Sequence, residues 1–178
     1  LHGGDTSSVA AQLSSGFIRI FSTGSAYAAL KDDGSVVTWG STGGDSSSVA
    51  AQLTSGVTQI FSNHSAFAAL KEDGSVVTWG NSQYGGDSSS VAAQLSSNVS
   101  EIFSTKYAFA ALKQDGSVVT WGRDGEGDDS SGVDFNVNGT PSVVRIFSHS
   151  TAFAALKSDG TVVAWGLNSG SGISGRIV

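Results

Sequence analysis

Short apolar stretches alternate along the chain with runs of Gly, Ser and Asp, and the apolar stretches return in a fixed order. Aligning the sequence on itself gives four copies of one phrase: IFSTGSAYAALKDDGSVVTWG from Ile20, IFSNHSAFAALKEDGSVVTWG from Ile60, IFSTKYAFAALKQDGSVVTWG from Ile102, and IFSHSTAFAALKSDGTVVAWG from Ile146. Each Ile stands 19 residues before a Trp, at Trp39, Trp79, Trp121 and Trp165, whereas 21, 23 and 25 residues separate a Trp from the next Ile. A packed unit does not tolerate insertion and an exposed connector does, so the spacing predicts a repeat array. Within each phrase three segments read as strands. The first begins at Phe17, Val57, Val99 and Val143 and is rich in β-branched and aromatic residues. The second is Ala66 to Lys71 and its equivalents, and the third is Ser75 to Trp79 and its equivalents. Between them sits Asp-Gly, at Asp33-Gly34, Asp73-Gly74, Asp115-Gly116 and Asp159-Gly160, which predicts a hairpin with a two-residue type I′ turn.

The connectors carry a second pattern. Gly3-Gly4-Asp5, Gly43-Gly44-Asp45 and Gly85-Gly86-Asp87 each lead into a Ser-rich cap and Val-Ala-Ala-Gln-Leu, which predicts one or two turns of helix capped by Asp or Ser. The third connector reads GDDSSGVDFNVNGTPSVV and holds the one proline, Pro141, so its helical turn is expected to be lost or reshaped.

The run AFAALKEDGSVVTWGNSQYGGDSS, from Ala66 to Ser89, resembles the repeat of the regulator of chromosome condensation family. There a small-residue strand, an Asp-Gly turn and a Val-x-x-Trp-Gly strand precede a Gly-rich loop. The resemblance covers nearly the whole chain and implies a β-propeller, usually of about seven four-stranded blades from repeats of some fifty residues. Here the repeats are about 42 residues long and number four, which resembles a shorter variant found in microbial and algal proteins. The expected fold is therefore all-β, with short antiparallel strands, a short helical turn in each connector, and a β-propeller-like arrangement that is small, partial or closed by a partner. A single repeat domain over 1–178 is expected, divided into an N-terminal connector at 1–16 and repeats at 17–56, 57–98, 99–142 and 143–178. The chain opens on a connector and closes after Trp165 on a Gly- and Ser-rich tail. Either the ends meet in a four-unit ring, or more repeats precede residue 1, or another chain, including a second copy, covers the open faces. The polar tail from Asn168 to Gly175 is a candidate cap.

Composition narrows the function more than it names it. With 178 residues and 18.0 kDa the chain suits one cooperative domain, and Gly (24) and Ser (33) fill about a third of it, which fits many turns and argues against long helices. The absence of Cys removes disulfides and thiolate metal sites, and the absence of Met, even at position 1, implies a processed chain or a segment of a longer one. A net charge of −6 gives no electrostatic footprint for nucleic acid, and no apolar run reaches the ~20 residues of a membrane span. The compartment is not legible.

Trp39, Trp79, Trp121 and Trp165, one per repeat, are read as structural core. The Gly-Gly-Asp carboxylates Asp45 and Asp87 read as caps. Asp124, Asp128 and Asp129, beside Glu126 in the third connector, are the weak candidates for a hard cation such as calcium. His2, His64 and His149 have no metal-ligand or catalytic spacing, and no nucleophile elbow, Walker loop or dinucleotide fingerprint occurs. Asn63, Asn98 and Asn138 head Asn-x-Ser/Thr triplets. The Lys before each turn, Lys31, Lys71, Lys113 and Lys157, reads as a solvated partner of the turn carboxylate. Residues that differ between repeats give each unit its own surface, so His64, Lys106, Tyr107, His149, Gln83, Tyr84 and Arg123 are the candidates for binding a partner. The expected function is a non-enzymatic protein-interaction scaffold without a cofactor, a soluble accessory subunit of a larger assembly such as a membrane or plastid complex. The alternatives are a carbohydrate- or calcium-binding module and an enzyme with an unfamiliar site.

Overall fold

The structure, a computed structural model, describes residues 3–137, 140–141, 143–166 and 173–175. Four antiparallel meanders follow one another. Unit 1 is β1 (Phe17–Ser22), β2 (Ala26–Lys31) and β3 (Val36–Gly40), and unit 2 is β4 (Val57–Ser62), β5 (Ala66–Lys71) and β6 (Val76–Gly80). Unit 3 is β7 (Val99–Ser104), β8 (Ala108–Lys113) and β9 (Val118–Gly122). After a short pair, β10 (Asn136–Val137) with β11 (Thr140–Pro141), comes unit 4: β12 (Val143–Ser148), β13 (Ala152–Lys157) and β14 (Val162–Gly166). In unit 4 a fourth strand, β15 (Ile173–Gly175), pairs along β14 with Ile173 opposite Ala164, so part of the tail covers that sheet edge.

The hairpin between second and third strands departs from the expected type I′ turn. The Gly34 amide donates to the Lys31 carbonyl (3.1 Å) and the Lys31 amide to the Ser35 carbonyl (2.9 Å), and Asp33 keeps a negative φ while Gly34 takes +75°. This is a type I turn closed by a left-handed glycine, a three-residue loop. The following Ser explains the choice: the Asp33 carboxylate accepts from both the Ser35 amide (2.9 Å) and the Ser35 hydroxyl (2.6 Å), and Asp73, Asp115 and Asp159 repeat the pair. Such an acceptor needs no positive φ at the Asp.

The core lies between the units rather than inside any one. The middle strands of units 2 and 3 are apolar on both faces because both are covered. Ala66, Ala68 and Leu70 of β5 pack against Ile102, Phe109 and Trp121 of unit 3, while Phe67 on the other face packs with Trp79 against Ala26 and Ala28 of unit 1. Unit 3 meets unit 4 in the same way. Cross-strand register sets Phe67 opposite Trp79, and the rings stack at 5.2 Å; Phe109 with Trp121 and Phe153 with Trp165 do so at 5.4 and 5.3 Å. Small residues on one unit thus leave room for a stacked aromatic pair on the next, which is dense packing with large buried area.

Trp79, Trp121 and Trp165 are buried, but Trp39 is only half-buried, a correction to the expectation of four equivalent core rings. It stacks on Tyr27 at 5.3 Å, yet no described unit covers that face. Ile20 on the same face is 60% exposed, whereas its equivalent Ile60 is 3% exposed.

Short 3₁₀ turns at Ala10–Leu13, Ser47–Leu53, Ser82–Tyr84 and Ser89–Val91 form the helical part of the connectors, and no helix occurs among the described residues of the third. Asp5, Asp45 and Asp87 accept the amides of Ser7, Ser47 and Ser89, each at 2.9 Å, and so close a local turn ahead of the helical segment that follows; the N-cap residues themselves, Val9, Ser46 and Ser88, make no side-chain cap hydrogen bond, a correction to the expected Asp or Ser cap. The repeated lysine is more than a solvated partner for the hairpin carboxylate. Lys71, Lys113 and Lys157 donate to the carbonyls of Gln52, Gln94 and Asp134 at 2.9, 2.7 and 2.7 Å and so tie each connector to its hairpin, while Lys31 lies over the Phe17 ring.

The connectors also reach the stacked rings. The Trp121 and Trp165 indole N–H groups donate to the Gly85 and Gly127 carbonyls, each at 3.1 Å. A Cβ on Gly85 would stand 2.7 Å from the Phe109 ring, so only glycine permits this approach. The buried Trp79 N–H has no partner, and its connector is two residues shorter. Removing a paired buried donor orphans its acceptor, whereas removing an unpaired one relieves a cost of about 1–3 kcal/mol. Trp121→Phe is therefore expected to lower unfolding stability by roughly 1 kcal/mol more than Trp79→Phe in urea titrations. Equal losses would contradict this.

Candidate functional site: an aromatic and cationic patch between units 2 and 3

The loops joining first to second strands lie side by side. The Gly24 amide donates to the His64 carbonyl (3.0 Å), the His64 amide to the Lys106 carbonyl (3.1 Å) and the Lys106 amide to the Ser150 carbonyl (2.8 Å). This backbone ladder runs across all four units and fixes the spacing of the residues that differ between repeats.

Two buried side chains in these loops hold the neighbouring connectors. Asn63 accepts from the Ser65 and Ala66 amides at 3.0 and 2.9 Å and donates through Nδ2 to the Tyr84 carbonyl at 2.6 Å. Thr105 accepts from the Ala108 amide at 3.0 Å and donates to the Glu126 carbonyl at 3.2 Å. Asn63, which heads an Asn-x-Ser triplet, is thus an internal brace. The signal that marks both residues is a short polar side chain three positions before the Ala that opens the second strand. The Arg123 backbone is anchored as well, its amide donating to the Tyr107 carbonyl at 3.1 Å.

On this frame most of the sequence-predicted candidates converge. The Tyr84 and Tyr107 rings lie 5.0 Å apart, and the His64 ring meets them edge-on at 6.4 and 6.0 Å. The Arg123 guanidinium sits over both tyrosines, 5.8 Å from Tyr84 and 5.2 Å from Tyr107, and the Lys106 ammonium stands 5.0 Å from the Tyr107 ring. Such pairs are attractive through the ring quadrupole and align long side chains against flat ones. The Tyr107 side chain, with a smaller contribution from Glu126, holds the Lys106 ammonium above its ordinary pKa, so it stays charged at neutral pH. His64, Lys106, Arg123 and Gln83 are exposed and the two tyrosines half-buried. Gln83 lines a small cavity with Arg123 and Asp124. His149 stands apart, its ring nitrogen 3.1 Å from the Ser150 hydroxyl.

The acidic loop holds the weak cation candidates Asp124, Asp128 and Asp129. Asp129 accepts from the Ser131 amide (2.9 Å) and hydroxyl (2.6 Å) through one carboxylate oxygen and so closes a local turn. Burial, and then the Asp124 carboxylate, raise the Asp128 pKa above the ordinary carboxylate value, and the described residues contain no group of three His, Cys, Asp or Glu able to hold a metal ion. Shallow grooves recur beneath successive connectors; one of them is lined by Ser48, Gln52, Ser75 and Ser88, with Asp73 already bonded to Ser75.

The sheets and their stacking define a β-propeller-type repeat array, and the fold is that of the RCC1-like propellers. Human WBSCR16 superposes with a TM-score of 0.52 at 21% identity, over 84% of this chain and 47% of that one. Yeast RCC1 (Prp20), solved bound to Kap60, gives 0.55 at 18% identity over 84% and 42%. The CRINKLY WD40 ectodomain of the Arabidopsis thaliana receptor kinase ACR4 gives 0.54 at 16% identity over 86% and 54%. The chain spans about half the length of these structures. No protein-family model and no curated protein matches it. No described helix is long and apolar enough to cross a membrane.

The turn-closing carboxylates give the fold a defined response to acid. Hydrogen bonds from the Ser or Thr two positions on hold Asp5, Asp33, Asp45, Asp73, Asp87, Asp115, Asp129 and Asp159 below the ordinary value of 3.8. A carboxylate depressed in the folded state contributes stability that is present above its unfolded pKa and lost as the pH falls through the folded one. Urea midpoints are therefore expected to be steady down to about pH 5 and to drop once the pH falls below about 4. A midpoint unchanged from pH 5 to about pH 2.5 would contradict this.

Proposed function

We propose that the chain, taken as one repeat domain, is a non-enzymatic scaffold that docks a protein partner on the patch of His64, Tyr84, Lys106, Tyr107 and Arg123, with Gln83 at its edge. The observation that carries the reading is the convergence itself: residues from two loops and two connectors, none shared between repeats, form one exposed aromatic and cationic surface. Tyr and Arg are the side chains that anchor protein interfaces, because they bury large rigid area and still offer hydrogen bonds at their tips. Lys106 and Arg123 make the patch locally cationic on a chain of net charge −6, which favours a partner segment bearing carboxylates. The fold agrees with this use, since one structural neighbour, yeast Prp20, is solved with Kap60 bound and in a second structure is described by its binding to Gsp1p and histones. His149, outside the patch, serves as a secondary contact one unit further along. In its finer form the reading is a soluble accessory subunit of a larger assembly, a membrane or plastid complex among the candidates.

The test is capture from extracts of the source with the wild-type chain and with Tyr107→Ala and Arg123→Ala. A stoichiometric protein companion is expected with the wild type, its affinity reduced roughly 30-fold or more by either substitution. A companion held equally by all three forms, or none with any of them, would overturn the proposal.

A further inference from the structure

The three interfaces inside the chain join two kinds of surface. One is the Ala face of a middle strand, flanked by the Phe of the first strand, as with Phe61 beside Ala66 and Ala68. The other carries the stacked aromatic pair, the Ile of the first strand and the Leu that ends the connector turn, as with Phe67, Trp79, Ile60 and Leu53. Within these 178 residues, four units make three such joints and, among the described residues, leave one surface of each kind uncovered. Unit 1 retains the aromatic face, where Ile20 is 60% exposed, Tyr27 36% exposed and Trp39 half-buried. Unit 4 retains the Ala face, where Phe147 is 52% exposed and Ala152, Ala154 and Leu156 are only half-buried, although their equivalents Ala66, Ala68 and Leu70 are buried.

Polar groups end in the same complementary way. The loop ladder from Gly24 through His64 and Lys106 stops at Ser150, so the Gly24 carbonyl and the Ser150 amide have no partner among the described residues. At the hairpins, the Gly34 and Gly74 carbonyls accept the Val57 and Val99 amides of the next unit at 3.0 Å. In unit 4 a Cβ on Gly160 would meet nothing within 4 Å. Each surplus surface therefore matches, in apolar shape and in hydrogen-bonding sense, a surface that this sequence already buries three times.

We propose that a second copy of the chain closes the array: unit 4 of each copy packs on unit 1 of the other, giving a two-chain ring of eight units related by a two-fold axis. The joint repeats the internal ones. Phe147, Ala152 and Ala154 of one copy cover Ile20, Tyr27 and Trp39 of the second, and the Ser150 amide donates to the Gly24 carbonyl across the joint. Head-to-tail contacts of this kind either close into a ring or run on as a filament, and two identical joints satisfy closure. The patch built by units 2 and 3 stays open in the ring, so the two proposals stand independently.

The experiment is native mass by sedimentation and light scattering at about 1–100 μM, a range in which specific interfaces of this type are populated. The wild type is expected at twice the 18.0 kDa of the chain. Ile20→Arg and Phe147→Arg change residues that the single chain leaves exposed, so each is expected to fold, with an unaltered circular dichroism spectrum, and to run at 18.0 kDa. The affinity between copies should fall at least ~100-fold in each, as for a charge placed at the centre of a buried joint. A wild-type particle of 18.0 kDa at the highest concentration, an open-ended series of larger masses, or a dimer indifferent to both substitutions would overturn the proposal.

Discussion

Everything else in the structure hangs on one packing arrangement: a stacked Phe and Trp on one unit resting on the alanines of the unit before it. The Phe67 and Trp79 rings are held together by direct cross-strand pairing, and they bury against Ala26 and Ala28, which have no side chain beyond Cβ to obstruct them. A three-stranded sheet of five- and six-residue strands is too small to hold a core of its own. It becomes stable by lending each face to a neighbour, so stability resides in the joints and the number of covered faces matters more than the number of strands. The exposure of Ile20 and the burial of Ile60, two residues in one register, show how far a single missing neighbour changes an otherwise identical position.

The same constraint explains the division of labour along the sequence. Positions that touch the joint hardly vary: the Ala pair, the Trp, and the Gly that lets a connector approach the rings. The lysines that donate to connector carbonyls fix the connectors to that frame. What the frame leaves free is the tip of the first loop and the start of each connector. Two adjacent units place Tyr84, Tyr107 and Arg123 there, and braces from Asn63 and Thr105 position the backbone beneath them. A rigid scaffold with variable loops can acquire a binding surface without disturbing its core.

Much of this was legible in the sequence because the repeat supplies its own controls. Strand positions followed from comparing four copies, and the variable residues stood out against a constant background. Three features were not legible. Asp-Gly serves both type I′ turns and type I turns closed by a left-handed glycine, so the hairpin type rests on the Ser after Gly34, which favours the second. The role of Lys113 depends on a carbonyl 19 residues away that only the folded connector brings near. The convergence of Tyr84 with Tyr107 depends on the spacing between neighbouring units, a property of the joint that no single repeat encodes.

The most direct test of an account in which joints carry the stability is to make one substitution at equivalent positions, one inside a joint and one outside. Phe109 and Tyr27 occupy the same place in the repeat and stack on their own Trp at 5.4 and 5.3 Å, but only Phe109 is covered by a neighbouring unit. Urea unfolding of Phe109→Ala and Tyr27→Ala, measured at concentrations where the chain is a single copy, separates the two contributions. The account predicts a loss of about 3–5 kcal/mol for Phe109→Ala and less than about 1 kcal/mol for Tyr27→Ala. Equal losses would contradict it, because they would place the stability within each sheet rather than between them.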